Sequence, residues 1–211
     1  MIKHSLPIHR WIYVIPGFLQ TRGGDNGMVA LWKSMHMLYS DYSTRVELAH
    51  WNSDWRAHAE CINRMCDDEP GKIVITGYSW GGYSATVLAR ELAKHGRKVD
   101  QMILCDAVYR HKYWLGNWRA MCPMSKIKIP ANVKEVTWFK QRKNYPRGHR
   151  LVPESDTTRI NKPIELMYKH QKCDDSYLFH REVFKQCHPV MGRNSIRRGG
   201  CSERASHWVH R

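Results

Sequence analysis

The chain has the sequence IVITGYSWGG at residues 73–82, where an apolar run gives way to a serine between two spaced glycines. This arrangement is typical of a tight turn between a strand and a helix, which holds a serine hydroxyl out above a sheet. Side chains two positions before and after Ser79 would collide with the neighbouring strand and helix, and the glycines at 77 and 81 relieve that crowding. We therefore predict a strand, a strained turn at Ser79 and a helix in succession.

The segment after Ser79 has the spacing of an amphipathic helix that ends near Gly96. Its apolar residues recur at helical intervals, at positions 83, 87, 88, 89, 92 and 93. The N-terminus of this helix would point at Ser79, and the N–H of Trp80 would lie there. Because backbone N–H groups in such a place stabilise a developing oxyanion, Trp80 is a candidate oxyanion donor.

Apolar segments alternate with helical ones along most of the chain. The predicted strands are Trp11–Ile15, Val46–Ala49, Ile73–Thr76, Met102–Cys105, Val136–Phe139 and Ile164–Tyr168, and the predicted helices are Met28–Tyr39, Trp55–Cys66, Tyr83–His95 and Ser176–Cys187. Several strands are too continuously apolar to be half exposed. We predict the α/β class: a single-domain three-layer α/β/α sandwich with a mostly parallel sheet of about six strands. Two longer connections, residues 108–130 and 141–163, are irregular.

Length and composition favour one domain. The chain has 211 residues, of which 42% are hydrophobic and 25% charged, as is ordinary for a globular protein. We expect a domain over residues 1–188 with a lid-like insertion at about 108–130, followed by a basic, flexible tail over 189–211.

The sequence shows neither a signal peptide nor a membrane span, so a cytoplasmic location is expected. Seven scattered cysteines without a C-x-x-C pair agree with free thiols.

The net charge of +15 is concentrated in one region. Residues 107–150 contain eleven basic residues and one acid, Glu135. Such a field can steer an anionic partner, for example an acyl carrier, a phosphorylated ester, an anionic lipid head group or nucleic acid. A solvated basic face that maintains solubility is an equally good interpretation.

Polar residues that follow the predicted strands are candidates for chemistry, because ligands bind beyond the carboxyl ends of parallel strands. Asp106 follows the fourth predicted strand and His170 follows the last. A serine hydroxyl needs a histidine to take its proton, and the histidine needs a carboxylate to fix its tautomer. Ser79, Asp106 and His170 have the chain order of serine, acid and histidine that this architecture predicts.

Two of these assignments have alternatives. His149 is a second candidate for the base, and Asp156 or Glu154 for the acid, since all three lie in the loop after the fifth predicted strand. The aspartate after the fourth strand could instead cap a helix. Asp174 and Asp175 precede the last helix and are predicted to be its N-terminal charges and cap.

The first predicted strand ends in Pro16 and Gly17, whose backbone can approach a substrate closely. The N–H of Phe18 or Leu19 would then be the second oxyanion donor beside Trp80.

Residues 75–82, followed by a helix and by VDQMILCD at residues 99–106, resemble the α/β-hydrolase superfamily, and most closely its small thioesterase-like and lipase-like members. The likeness covers about Trp11 to Cys187. In thioesterase domains that unload carrier proteins, the triad acid commonly follows the strand after the nucleophile helix, where Asp106 lies. Many other members place the acid one strand later, which keeps Asp156 open. The segment from Pro16 to Phe18 resembles the family's His-Gly oxyanion segment, with proline in place of histidine.

The resemblance implies hydrolysis of a carboxylic ester or thioester, with Ser79 as nucleophile, His170 as general base and Asp106 as triad acid. It implies no cofactor and no metal. The substrate would be a small or carrier-bound acyl ester or thioester, possibly anionic, in contact with Tyr78 and with Trp114 and Trp118 of the lid-like insertion. The alternative is a non-catalytic basic module that binds nucleic acid or an anionic surface and in which the serine is idle.

Overall fold

The computed structural model describes residues 8–18, 20, 24, 26–41, 43–65, 71–110, 121–122 and 124–188. Within them the strands are β1 Arg10–Ile15, β2 Thr44–Leu48, β3 Lys72–Tyr78, β4 Val99–Cys105, β5 Lys126–Ile129, β6 Val133–Gln141, β7 Arg150–Pro153, β8 Arg159–Ile160 and β9 Ile164–Leu166. The helices are α1 Gly27–Tyr39, α2 Trp55–Met65, α3 Trp80–Lys94 and α4 Tyr177–Cys187.

Seven of these strands form one parallel sheet in the order β2-β1-β3-β4-β6-β8, with β9 also paired to β6. Because β4 occupies one edge of β6, β8 and β9 share the other edge, against residues 135–136 and 139–141 respectively. The order in which the chain adds strands reverses between β1 and β3. Because β1, β3 and β4 are parallel neighbours, their carboxyl ends lie next to one another. Such a position is where open α/β sheets bind ligands.

Helices cover both faces of the sheet. In β1, Trp11, Tyr13 and Ile15 belong to the core that includes α2 and α3, whereas Ile12 and Val14 belong to the core that includes α1 and α4. This alternation follows from the two-residue period of a strand, and it requires apolar side chains on both sides. The predicted three-layer α/β/α sandwich with a parallel sheet is therefore confirmed.

All six predicted strands are present, but the two connections predicted to be irregular contain three more. β5 and β7 form a separate two-stranded parallel sheet, and β8 adds two residues to the main sheet. β5 has the sequence KIKI and buries only Ile127 and Ile129. Strands of four and two residues carry too little periodicity to be recognised without their partners.

Several predictions concern residues outside the described ranges. They are Leu19, residues 111–120 and 123 of the lid-like insertion, which include Trp114 and Trp118, and the tail over 189–211. Of the seven cysteines, the five that the structure describes are all free thiols. No helix in the described ranges is long and apolar enough to cross a membrane.

Candidate active site

Ser79 lies in a strained turn between β3 and α3. Its backbone angles are φ 53° and ψ −122°. Among the described residues other than glycine, only Asp106 shares a positive φ, at 43°. Such conformations cost about 1–3 kcal/mol each and cluster at functional sites. The Ser79 N–H donates to the carbonyl of Cys105 at 3.0 Å, and the Ser79 carbonyl accepts from the N–H of Val108 at 3.0 Å. These bonds fix the turn to the end of β4.

The glycines on either side of the turn allow backbone to approach backbone. A Cβ at Gly77 would lie 2.5 Å from the carbonyl oxygen of Gly81, and a Cβ at Gly81 would lie 2.2 Å from that of Ile15. Neither contact is sterically possible without a backbone shift. The spacing of the two glycines is therefore required by the packing of α3 against the ends of β3 and β1.

The Ser79 hydroxyl oxygen lies 2.9 Å from Nε2 of His170. On the other side of the ring, Nδ1 of His170 lies 2.6 Å from Oδ2 of Asp106. A carboxylate oxygen only accepts hydrogen bonds, so Nδ1 carries a proton and Nε2 of the neutral ring is the acceptor for the serine hydroxyl. The structure thus brings together the three residues that the chain order pointed to, in one hydrogen-bonded series.

The Asp106 carboxylate is fully buried and accepts four hydrogen bonds. Oδ1 accepts from the backbone N–H of Gly148 at 2.8 Å and of Gln141 at 3.1 Å. Oδ2 accepts from His170 and, at 3.2 Å, from the Gln141 side-chain amide. These donors offset the cost of burying the charge and hold the carboxylate plane toward the imidazole.

His170 is held at its backbone as well as at its ring. It begins a short 3-10 turn, His170–Lys172, four residues beyond the end of β9. Its N–H donates to the Asn144 side-chain oxygen at 2.7 Å, and its carbonyl accepts from the Tyr78 hydroxyl at 2.6 Å. Burial, followed by nearby acidic groups, raises the pKa of Tyr78 well above its usual value, so the phenol remains a donor.

The alternative residues lie elsewhere. Nδ1 of His149 accepts from the Tyr109 N–H at 2.8 Å, and its Nε2 lies 3.0 Å from the Cys122 carbonyl oxygen. Burial lowers the pKa of His149, which favours the neutral ring. Glu154 is in a surface ion pair and Asp156 is exposed. His149 and Glu154 are therefore engaged with other partners, and Asp156 lies at the surface.

A cavity of about 510 Å³ opens beside the Ser79 hydroxyl. Its described lining residues are Phe18, Gln20, Tyr78, Ser79, Trp80, Val108, Met121, Pro146, His170 and Gln171. Trp80 begins α3, so its N–H lies at the helix N-terminus, next to the serine and at the positive end of the helix dipole. Gly17 packs against the serine from the other side, since a Cβ at Gly17 would lie 3.0 Å from the Ser79 Cβ.

Aromatic rings form one wall of the cavity and continue beyond it. The rings of Phe18 and Trp80 lie 4.4 Å apart, and Trp51 lies 5.3 Å from each. The Arg110 guanidinium stands 4.5 Å above the Trp51 ring and donates to Asn52. Cations over tryptophan faces are attracted by the ring quadrupole. The wall is therefore apolar inside the cavity, and a cation lies over Trp51, which is not among the described lining residues.

The prediction for Asp174 is wrong. The N-cap of α4 is Ser176, and Asp174 is buried on the inner side of that turn. Its Oδ2 accepts from the N–H of Gly27, the first residue of α1, at 3.0 Å, and from the Gln20 side-chain amide at 2.6 Å. The chain enters α4 two residues later, so Asp174 faces α1 instead of its own helix. Asp175 is exposed.

Sequence reasoning missed the residues that support the site. Gln141 and Gly148 bind the Asp106 carboxylate, Asn144 binds the His170 backbone, and Gln20 lines the cavity. A signal for Gln141 was present, because it is the last residue of β6 and so lies at a carboxyl end of the sheet. The predicted strand stopped two residues early, at Phe139, and this hid the signal.

No protein-family model and no curated protein sequence matches the chain. Among solved structures, YbtT, a type II thioesterase from the yersiniabactin NRPS/PKS biosynthetic pathway, matches with a TM-score of 0.47 at 10% identity, over 86% of this chain and 93% of that one. The NocB thioesterase domain from the nocardicin cluster matches with a TM-score of 0.43 at 12% identity, over 85% and 94%. ClbQ from the colibactin NRPS/PKS pathway matches with a TM-score of 0.43 at 12% identity, over 84% and 95%. The chain is thus similar in outline to these structures at very low sequence identity.

Proposed function

We propose that this protein is a serine hydrolase that cleaves a carboxylic ester or thioester through an acyl-enzyme intermediate. The observation that carries the proposal is the hydrogen-bonded series from Ser79 Oγ to His170 at 2.9 Å and from His170 to Asp106 at 2.6 Å. The strained backbone at Ser79 and the cavity beside its hydroxyl support the same interpretation.

The reaction begins when Ser79 Oγ attacks the carbonyl carbon of the substrate and His170 Nε2 takes the hydroxyl proton. Asp106 stabilises the resulting imidazolium and keeps the proton on Nδ1. The tetrahedral intermediate then expels the alcohol or thiol, which receives the proton from Nε2, and the acyl group remains on Ser79. A water molecule attacks the acyl carbon and gives a proton to His170. The bond between the acyl carbon and Ser79 Oγ then breaks, Oγ takes the proton from Nε2, and the carboxylic acid leaves.

Negative charge develops on the former carbonyl oxygen in both steps. In this proposal the N–H of Trp80 is one donor to that oxygen, and the N–H of Phe18 or Leu19 is the other. The position of Trp80 at the start of α3 supports the first assignment, and the contact of Gly17 with Ser79 supports the second.

The cavity indicates what the acyl portion is like. Its volume of about 510 Å³ and its lining by Phe18, Trp80, Val108 and Met121 suit a medium-sized aliphatic or aromatic group. Arg110, over Trp51 and next to the aromatic wall, supports an anionic group on the part of the substrate that extends from the cavity. Tyr78 contributes its ring to the cavity, whereas Trp114 and Trp118 remain predicted contacts.

A hydrolysis panel tests the proposal. Purified protein is assayed on aryl esters and acyl thioesters of increasing chain length, each prepared with a neutral and with an anionic leaving group, at low and high salt. We expect turnover that Ser79→Ala lowers by several orders of magnitude. Anionic substrates should be turned over faster than neutral ones at low salt, and high salt should reduce this advantage. Equal rates with neutral and anionic substrates at every salt concentration would remove the electrostatic part. Absence of turnover on every substrate would favour the non-catalytic basic module instead.

A further inference from the structure

The segment that carries the second proposed oxyanion donor is held by Gln20. The Gly17 N–H donates to Gln20 Oε1 at 2.8 Å, and the Gly17 carbonyl accepts from the Gln20 N–H at 3.2 Å. In a trans peptide the carbonyl and the N–H point in opposite directions. Since the Gly17 carbonyl faces Gln20, the N–H of the same peptide unit, which belongs to Phe18, faces away from it. Gln20 thus holds Gly17 at both ends: its side chain binds the Gly17 N–H, and its backbone N–H binds the Gly17 carbonyl and so orients the Gly17–Phe18 peptide.

Gln20 is held in turn by Asp174. Its side-chain amide donates to Asp174 Oδ2 at 2.6 Å, and this fixes which end of the amide faces Gly17. The same carboxylate oxygen accepts from the Gly27 N–H at 3.0 Å. Asp174 is 1% exposed, and its other oxygen, Oδ1, makes no hydrogen bond within the described part of the chain. Among the described residues, the Asp174 side chain therefore binds its neighbours through Oδ2 alone.

Asp174 also belongs to the segment that carries His170. The His170 carbonyl accepts from the Cys173 N–H at 3.2 Å, and the Asp174 carbonyl lies 2.6 Å from Nε2 of His180 in α4. One buried residue thus connects the loop after β1 to the loop after β9. These two loops carry opposite halves of the proposed site, the oxyanion donor and the general base.

We propose that Gln20 and Asp174 are positioning residues, which fix the Gly17–Phe18 peptide as an oxyanion donor and keep it aligned with the loop that carries His170. This inference rests on the proposed function. Neither side chain takes part in proton transfer. Their effect is on the tetrahedral state, in which charge on the substrate oxygen makes the position of the N–H donors decisive.

The test compares Gln20→Leu, Asp174→Leu, Asp174→Asn and the remote control Gln186→Leu. For each, kcat, KM, the melting temperature and the affinity for a trifluoromethyl ketone are measured. This ketone adds to Ser79 Oγ, the hydroxyl proton passes to His170, and the adduct carries an oxyanion. We expect Gln20→Leu and Asp174→Leu to lower kcat and ketone affinity together, by roughly 10- to 100-fold, with KM within about threefold of wild type. Asp174→Asn should retain most activity, because an amide oxygen can accept both bonds that Oδ2 accepts.

The outcomes separate this inference from the proposed function. If wild type turns over substrate and binds the ketone, while Gln20→Leu and Asp174→Leu do the same with unchanged constants, the positioning role is wrong and the hydrolase remains. The positioning role is also wrong if Asp174→Asn loses as much activity as Asp174→Leu. In that case a hydrogen-bond acceptor at position 174 would not be sufficient to hold Gln20. If wild type neither turns over substrate nor binds the ketone, both proposals fail. Should Gln20→Leu not fold, the Asp174 pair decides alone.

Discussion

The hydroxyl oxygen of Ser79 and Nε2 of His170 lie 2.9 Å apart although 91 positions separate the residues in the chain. Ser79 follows β3 and His170 follows β9, at the far side of β4 and β6. The contact exists because parallel strands end at one edge of the sheet and because the His170 loop reaches back across it. Asp106, directly after the intervening β4, binds Nδ1 on the other side of the His170 ring.

Replacing Asp106 by asparagine tests whether the carboxylate sets the tautomer of His170. The amide oxygen would remain with the N–H groups of Gln141 and Gly148, which would turn the amide NH₂ group toward Nδ1. The proton of the neutral imidazole would then move to Nε2, where it prevents acceptance of the serine proton. We expect kcat to fall by about 1,000- to 10,000-fold.

Asp100→Asn is the matched control for that change, because Asp100 lies at the opposite end of the same strand, β4, and pairs with Lys134. It should leave kcat within about threefold. Steady-state kinetics with a melting curve for each variant make the comparison. Full activity in Asp106→Asn would mean that the carboxylate has no part in the chemistry.

Gly81→Ala tests the packing of the turn. Its Cβ would lie 2.2 Å from the Ile15 carbonyl oxygen and 2.4 Å from that of Pro16, so α3 or the end of β1 must move. We expect the free energy of unfolding to fall by roughly 1–3 kcal/mol, as measured by chemical denaturation. Activity should fall in the molecules that remain folded, because the shift displaces Ser79.

Gly96→Asn is the control for a glycine substitution. Gly96 has φ 69°, and a Cβ at this position would meet no atom of the described residues within 4 Å. Asparagine tolerates that backbone conformation. The stability of this variant should stay within about 0.5 kcal/mol of wild type. An equal effect of the two substitutions would show that close backbone approach at Gly81 is unimportant.

Two histidines, the buried His149 and the half-buried His180, make stability depend on pH. Burial lowers the pKa of both His149 and His180 below the ordinary value of 6.5. The unfolded chain therefore binds more protons than the folded one just below pH 6.5, and stability present above that pH is lost as the pH falls toward the folded-state pKa values. Each histidine contributes a slope of up to about 1.4 kcal/mol per pH unit.

Denaturation curves between pH 7.5 and about 5 measure that slope. His149→Gln should flatten it, whatever the effect on absolute stability, and His95→Gln, which removes an exposed ring, is the comparison. A slope in His149→Gln as steep as in wild type would contradict the assignment to His149.

Much of the fold follows from the sequence because the sheet is buried on both faces. Strands β1, β3 and β4 are apolar over most of their length, and this makes them visible without knowledge of their partners. The turn at Ser79 is equally visible, because only glycines fit where α3 meets the ends of β3 and β1. The places of Asp106 and His170 follow from one rule, that parallel strands end together.

The supporting residues could not be found in the same way. Gln20 and Asp174 are 154 positions apart, and Gly148 is 42 positions from the carboxylate it binds. No local period or turn chemistry encodes such pairs, since each depends on how two loops meet after the sheet has formed. The same holds for β5 and β7, whose four residues each become strands only by pairing with each other.

The central claim is that Ser79 is an activated nucleophile, and fluorophosphonate modification followed by intact mass measurement tests it most directly. We expect wild type to gain the mass of one phosphonyl group, mapped to Ser79 by peptide analysis, and Ser79→Ala to gain none. His170→Ala should react far more slowly, and Ser155→Ala, in the loop after β7, should react like wild type. A wild-type protein that stays unmodified, or a Ser79→Ala protein that is modified to the same extent, would contradict the account.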